Sequence, residues 1–335
     1  MKILVTGCAG FIGYHVTKRL LSDNHNVIGI DNINNYYNVK LKKDRIGNLE
    51  WMDNWKFEFK HMDVVGMEKE DLTFRGIDVI IHLAAQAGVR HSIDHPEEYL
   101  PNITGFQSVL ETARNMNPTP HLVYASSGSV YGVSTSTGYK ETDNTDHPYS
   151  LYAATKKSNE VTAEAYSRMY GIPCTGLRLF SVYGPWGRPD MALWKFTKAI
   201  LEDEEVELYG SGSQARDFTY VDDAVEGLVL AMERGLSGIE NPRPFYHHIF
   251  NVGSNNPVPL YSEDWQGKYH FVKAIEDATG KKLKIKLTDY QLGDISFTNA
   301  DISKLQEVTT YRPRTFIKVG VQNFVDWYKD YHDWC

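Results

Sequence analysis

Short apolar runs recur through the first half of the chain, at Ile3–Thr6, Val27–Ile30, Phe57–His61, Val79–Leu83 and His121–Ala125. Runs of this length predict parallel strands buried on both faces. Between them lie segments with helical spacing, such as Phe11, Val16 and Leu20. The repeating strand–helix–strand unit predicts an α/β fold, a doubly wound parallel (Rossmann) sheet that binds its ligands at the carboxyl ends of its strands.

The pattern changes after about residue 182, where Gly184-Pro185-Trp186-Gly187-Arg188-Pro189 precedes a helix-like stretch from Met191 to Leu201. A smaller lobe is expected to begin there. Phe218–Val221, the helix-like Asp223–Glu233 and the strand-like Ile249–Val252 are expected to return to the main sheet. The domain boundary is then discontinuous: residues 1–181 plus about 217–254 form the Rossmann domain, and about 182–216 plus 255–335 form a smaller α/β lobe. No internal repeat or low-complexity tract interrupts this plan.

Composition narrows the function classes. At 335 residues the chain exceeds the size at which one core stops growing, and 42% hydrophobic with 23% charged residues is ordinary globular usage. No run approaches the roughly 18 apolar residues of a membrane span. A net charge of −8 disfavours a nucleic-acid partner, which would need clustered Lys and Arg. Cys8, Cys174 and Cys335 are too scattered for a disulfide framework or a zinc site, so no metal is expected. Met1-Lys2-Ile3-Leu4 runs straight into a strand without the features of a secretory signal, which makes the cytoplasm the expected location. Cys8 lies in a glycine-rich turn, where packing explains it better than redox chemistry.

That turn is Gly7-Cys8-Ala9-Gly10-Phe11-Ile12-Gly13, between the first strand and the first helix. One glycine permits the tight turn and another a close backbone approach to a pyrophosphate. The helix start at Phe11 and Ile12 offers unpaired N–H groups and the positive end of a dipole. Asp31, ending the second strand, is placed to accept both ribose hydroxyls of an adenosine, which selects NAD over NADP; the plainer reading is a turn residue. Asp63, after the third strand, is placed either for the adenine amino group or as a turn former.

Tyr152 and Lys156 fall at i and i+4 of a predicted helix, on one face. An ammonium near the phenol, together with the positive nicotinamide ring, favours the phenolate and brings its pKa toward the working range, so that Tyr152 can act as a base for a sugar hydroxyl. Ser127, after the His121–Ala125 strand, is the candidate proton-sharing partner. Ser126 and Ser129 either orient the substrate or only shape the turn.

These features together resemble the extended short-chain dehydrogenase/reductase family: the Gly7, Gly10, Gly13 loop, Asp31, Asp63-Val64, His82-Leu83-Ala84-Ala85, Tyr152-x-x-x-Lys156 and Arg216-Asp217-Phe218. Within it the chain is similar to UDP-glucuronate 4-epimerases through Gln86-Ala87-Gly88-Val89-Arg90, Ser150 to Lys157 and Tyr183 to Ala192. The resemblance implies a tightly held NAD, with Asn32, Val64, Ala84 and Lys156 joining its site, and a UDP-linked sugar substrate near Arg90, Ser181, Arg188 and Arg216. Its chemistry is oxidation at C4, rotation of the 4-keto sugar and reduction from the other face. Arg188 is the candidate clamp for a sugar carboxylate, with a diphosphate or a surface acid as alternatives. Arg216 is expected on the diphosphate, or else paired with Asp217. Asn102 is expected near substrate or backbone.

Absence of an acid between Ala125 and Gly132 favours reversible epimerisation over elimination. The family's helices corresponding to Glu98–Met116 and Tyr152–Met169 imply a homodimer. Three departures stand out: Gly128 where a serine is usual, Ser181 where threonine is usual, and an apparent insertion from Ser262 to His270. A UDP-galactose or UDP-N-acetylhexosamine 4-epimerase would use the same Tyr152 and Lys156 without a carboxylate clamp, and a noncatalytic NAD-binding sensor would need neither residue.

Overall fold

Alternate residues of the first strand face different cores. Ile3 and Val5 pack with one set of helices and Leu4 with another, the two-residue period of a strand buried on both faces. The computed structural model describes residues 1–53, 55–69, 74–133, 138–210, 212, 214–237, 247–261, 269–289 and 295–334.

The chain runs β1 (Lys2–Thr6), α1 (Phe11–Ser22), β2 (Asn26–Asp31), α2 (Val39–Met52), β3 (Phe57–His61), β4 (Val79–His82), a short α3 (His91–Asp94), α4 (Pro101–Asn115), β5 (His121–Ser127), α5 (Leu151–Tyr170) and β6 (Cys174–Leu179). The second half adds β7 (Ser181–Tyr183), α6 (Ala192–Glu202), β8 (Glu205–Tyr209), β9 (Ala215–Tyr220), α7 (Val221–Ser237), β10 (His247–Val252), β11 (Pro257–Pro259), α8 (Phe271–Thr279), β12 (Lys284–Thr288), α9 (Ser303–Val308) and α10 (Ile317–Tyr331). The main sheet is parallel and seven-stranded, ordered β10-β6-β5-β4-β1-β2-β3. Helices cover both faces, as the strand–helix repeat predicts. No helix among the described residues is long and apolar enough to cross a membrane.

One expectation fails. The strand around Phe218 does not rejoin the main sheet: β9 pairs with β7 and β11 in a separate three-stranded sheet, while β10 occupies the main sheet's edge beside β6. Its alternation explains the difference, since Ala215 and Asp217 are buried while Arg216 and Phe218 are only half-buried, the signature of a strand with one partly open face. The helix expected from Glu98 also starts later, because Pro96 opens a 3-10 turn and Pro101 takes the first position of α4. Most of the Ser262–His270 segment, including Trp265, lies outside the described residues.

Candidate active site

Close approach fixes the glycine turn. Gly7 has φ +73°, and a Cβ there would lie 2.7 Å from the nitrogen of Ala84. At Gly13 a Cβ would lie 2.0 Å from the carbonyl oxygen of Gly7, so α1 begins pressed onto its own loop. Gly10 precedes α1 without a side-chain cap, leaving the N–H groups at the helix start to a ligand. Asp31 is buried at the end of β2, where its carboxylate accepts from the N–H of Ala9 (3.2 Å) and of Ile33 (2.8 Å). Asp63 accepts from Asn32 Nδ2 (2.7 Å) and from the N–H of Val65 (2.8 Å), so it shapes its turn while also lining the cavity. That cavity, about 340 Å³, collects Gly7, Gly10, Phe11, Ile12, Gly13, Asp31, Asn32, Asp63, Val64 and Ala84 along one wall.

Opposite them stand Ser127, Tyr152 and Lys156. Ser150 caps α5 by accepting from the N–H of Ala153 at 3.1 Å, which sets the helix start one residue before Tyr152. Lys156 is buried one turn further on, donating to the carbonyl of Ala125 at 3.0 Å and lying 5.9 Å from the centre of the Tyr152 ring. Burial lowers its pKa from the ordinary 10.5 to about 8. Burial acts on Tyr152 as well. Burial raises its phenol above the ordinary value, and the opposing influences are Arg188 first and a hydrogen bond with Ser127 second, not Lys156.

The serines divide by strand alternation. Ser127 Oγ accepts from the N–H (3.2 Å) and hydroxyl (2.9 Å) of Ser129, facing the cleft. Ser126 is buried, and its hydroxyl proton is committed to Glu160 of α5 at 2.6 Å. Glu160 in turn takes two donors from Arg178 of β6, each at 2.8 Å, in an ion pair only 3% exposed on either side. The hydroxyl of Ser126 thus ties α5 to the sheet, while Ser126 also lines the first cavity beside Ser127. Gly128 has its own local reason: a Cβ would meet the Phe180 ring at 3.2 Å.

A second cavity, about 230 Å³, continues toward the smaller lobe and holds Arg90, Ser181, Arg188 and Arg216. Phe11, Arg188 and Met191 line both cavities, which places Arg188 at their junction. The guanidinium of Arg90 lies 4.4 Å from the centre of the Tyr209 ring. Arg216 does not pair with Asp217: successive residues of β9 face opposite sides, and the buried Asp217 accepts from the N–H groups of Ser254 (2.6 Å), Asn255 (3.0 Å) and Ala300 (2.9 Å). Gln214 is buried in this cavity, and its Nε2 has no partner among the described residues. Arg188 is already engaged. Its Nε and Nη2 donate to Asp190 at 3.0 and 2.5 Å, and the Tyr36 hydroxyl donates to the same carboxylate at 3.2 Å.

One support of the site escaped the sequence reading. Arg45 of α2 is fully buried and donates to the carbonyl of Ala9 (2.7 Å), to Tyr37 (2.6 Å) and to the carbonyls of Trp186 (2.5 Å) and Gly187 (3.1 Å). It sits in a helix whose sequence, VKLKKDRIGNLEWM, reads as solvated, so nothing marked it. Asn102, expected near substrate or backbone, clamps the backbone of Gln86 from both sides, accepting at 2.7 Å and donating at 3.0 Å, and also lines the first cavity.

A parallel sheet with an uncapped glycine turn at one strand end and a buried Tyr–Lys pair at another defines a dinucleotide-dependent enzyme that moves protons at a sugar-sized cleft. The profile of the "NAD dependent epimerase/dehydratase family" matches residues 3–253, and the chain belongs to that family. Protein CapI of Staphylococcus aureus is 45% identical, with 99% of each chain covered. UDP-glucuronate 4-epimerase 4 of Arabidopsis thaliana is 41% identical over 99% of this chain and 76% of its own length. The crystal structure of UDP-glucuronic acid 4-epimerase from Bacillus cereus, in complex with UDP-glucuronic acid and NAD, superposes with a TM-score of 0.86 at 32% identity, covering 99% of this chain and 100% of that one. The family and fold expected from the motifs are those found.

Proposed function

We propose that the protein interconverts UDP-glucuronate and UDP-galacturonate by inverting C4 through a 4-keto intermediate. The observation that carries this reading is the convergence of Ser127, Tyr152 and Lys156 in the cavity that Arg188 shares with the nucleotide-sized second cavity. Relatives named as UDP-glucuronate 4-epimerases, matched along nearly the whole chain, support the choice of sugar.

The residues present fit NAD. The uncapped start of α1, the glycine cradle closed against any Cβ, and the carboxylate of Asp31 suit a pyrophosphate and an adenosine ribose, and Lys156 stands where a second ribose is expected. When bound, NAD supplies the hydride acceptor and donor for C4. Tyr152 takes the C4 hydroxyl proton and later returns it, with Ser127 in the same cavity as relay. Because burial raises this phenol, its ionised form depends on nearby positive charge, which Arg188 provides from the cleft side. Ser129 holds the Ser127 hydroxyl in place. In the second cavity Arg90 and Arg216 suit the diphosphate, Ser181 the sugar, and Nε2 of Gln214, without a partner among the described residues, a carbonyl of the base.

Three further elements belong to the proposal. The Rossmann unit and the smaller lobe divide as the sequence suggests, with β9 as the exception described above. Two copies associate through α4 and α5, a choice supported by the exposure of Leu100, Val161 and Met169 along these helices. The cytoplasm is the proposed location, in keeping with the free buried thiols of Cys8 and Cys174.

Incubating the purified protein with UDP-glucuronate, and separately with UDP-galactose and UDP-N-acetylglucosamine, while following anomeric protons by NMR tests the reading. Conversion of the acid sugar alone to its C4 epimer supports it. Turnover of the neutral sugars alone replaces it with a neutral-sugar 4-epimerase.

A further inference from the structure

An arginine meant to grip a carboxylate presents one edge of its guanidinium, Nε with one Nη, as a two-pronged fork. In this protein that edge of Arg188 is taken. Asp190, two residues on, accepts from both prongs at 3.0 and 2.5 Å. Such a contact between near neighbours is not an idle surface pair. The Arg188 side chain is 22% exposed and that of Asp190 30%, and the Tyr36 hydroxyl holds Asp190 from a separate part of the chain at 3.2 Å. Tyr36 is seated in turn, since its ring packs 4.9 Å from that of His91 and a Cβ on Gly88 would lie 2.6 Å from its hydroxyl. Burial and then Asp190 push the Tyr36 phenol up to about 12, so it remains a donor. Burial raises Asp190, but the bonds from Arg188 outweigh it and hold the carboxyl below its ordinary value, so it remains ionised.

Inverting C4 requires the 4-keto sugar to turn within the cleft, and a carboxylate held by a free arginine fork in a water-poor site would have to be released before it could turn. The arrangement found supplies a rival for that fork inside the protein. We propose that Asp190, seated by Tyr36, is a specificity-determining competitor for Arg188 that keeps the hold on an acidic sugar loose enough for the intermediate to rotate. The proposal rests on the acid-sugar reading above. With its Nε and Nη2 edge engaged, Arg188 offers the substrate only its remaining N–H groups. Binding energy held back in this way is the difference between a substrate that is gripped and one that is turned over.

The test is Asp190→Asn, which keeps the shape and removes the competing charge. The expected result is a split: KM for UDP-glucuronate falls at least about threefold while kcat falls about tenfold, because tighter holding slows the turn. Inhibition constants for UDP and UDP-glucose, which carry no sugar carboxylate, stay within about twofold of wild type. Asp190→Glu restores a carboxylate and moves both kinetic constants back toward wild type. If Asp190→Asn does not fold, Asp190→Ser takes its place with the same expected split. A rise in KM, an unchanged pair of constants, or equal tightening of UDP and UDP-glucose overturns the proposal, the last by showing that Arg188 acts on the diphosphate. Failure of the wild type to turn over UDP-glucuronate at all strikes the acid-sugar reading instead, before any variant is compared.

Discussion

Arg45 joins the carbonyl of Ala9, inside the glycine turn, to the carbonyl of Trp186, two residues before Arg188. One buried guanidinium thereby sets the distance between the loop that faces the dinucleotide and the segment that carries the substrate-side arginine. All its acceptors are neutral, and its Nε has no partner among the described residues. Replacing it with methionine leaves three carbonyls without this donor, two of them buried, at roughly 1–3 kcal/mol for each buried one if none relaxes. Arg45→Met is expected to lose about 3 kcal/mol in urea unfolding, and Arg45→Lys, which cannot span the carbonyls, about half as much.

Lys156 makes stability depend on pH. Its folded-state pKa of about 8 lies below the ordinary 10.5 of an unfolded chain. Below pH 8 both states carry the proton and the folded state bears the full desolvation cost. Between pH 8 and 10.5 the unfolded chain binds more protons, so stability rises with pH through this group. Urea titrations across that interval should show wild type gaining on the order of 3 kcal/mol relative to Lys156→Met, which cannot titrate. A constant difference between the two proteins contradicts the depressed pKa.

Tyr152→Phe keeps the ring that packs beside Lys156 and removes only the phenol. Turnover should fall by about 10²–10⁴ while the affinity for NAD stays unchanged. Preserved turnover would show that another group moves the proton, and a protein inactive in both forms would revive the sensor reading.

Gly128→Ser puts back the hydroxyl-bearing residue usual at this place, against the Phe180 ring at 3.2 Å. The ring has to yield by a few tenths of an ångström, for a cost of about 1 kcal/mol. The double variant with Phe180→Leu should recover most of that loss in thermal unfolding, a non-additivity expected only if the two positions are in contact.

Much of this was legible in the sequence because it rests on local rules. The strands β1 to β5 announce themselves as apolar runs, and the glycine turn, Asp31, Tyr152 and Lys156 sit at spacings that have one physical reason each. What stayed hidden depends on partners distant in sequence. The strand β6 is broken as a pattern by Gly176 and by Arg178, whose charge is tolerable only because Glu160 reaches it from α5. Ser126 stands at a strand end, and only the fold reveals that Glu160 takes its hydroxyl proton. The burial that raises the Tyr152 phenol was hidden for the same reason, since burial is a tertiary property.

The edge of the main sheet has a consequence for how the protein is made. Six strands of the sheet are complete once Leu179 has left the ribosome, but the partner of β6 is β10, which begins only at His247. Throughout the synthesis of the intervening segment β6 presents an unpaired strand edge, the kind of surface on which nascent chains stick to one another. Production of this enzyme is therefore most exposed to aggregation while residues between these two strands are being translated, and slowing the ribosome there would lengthen that window.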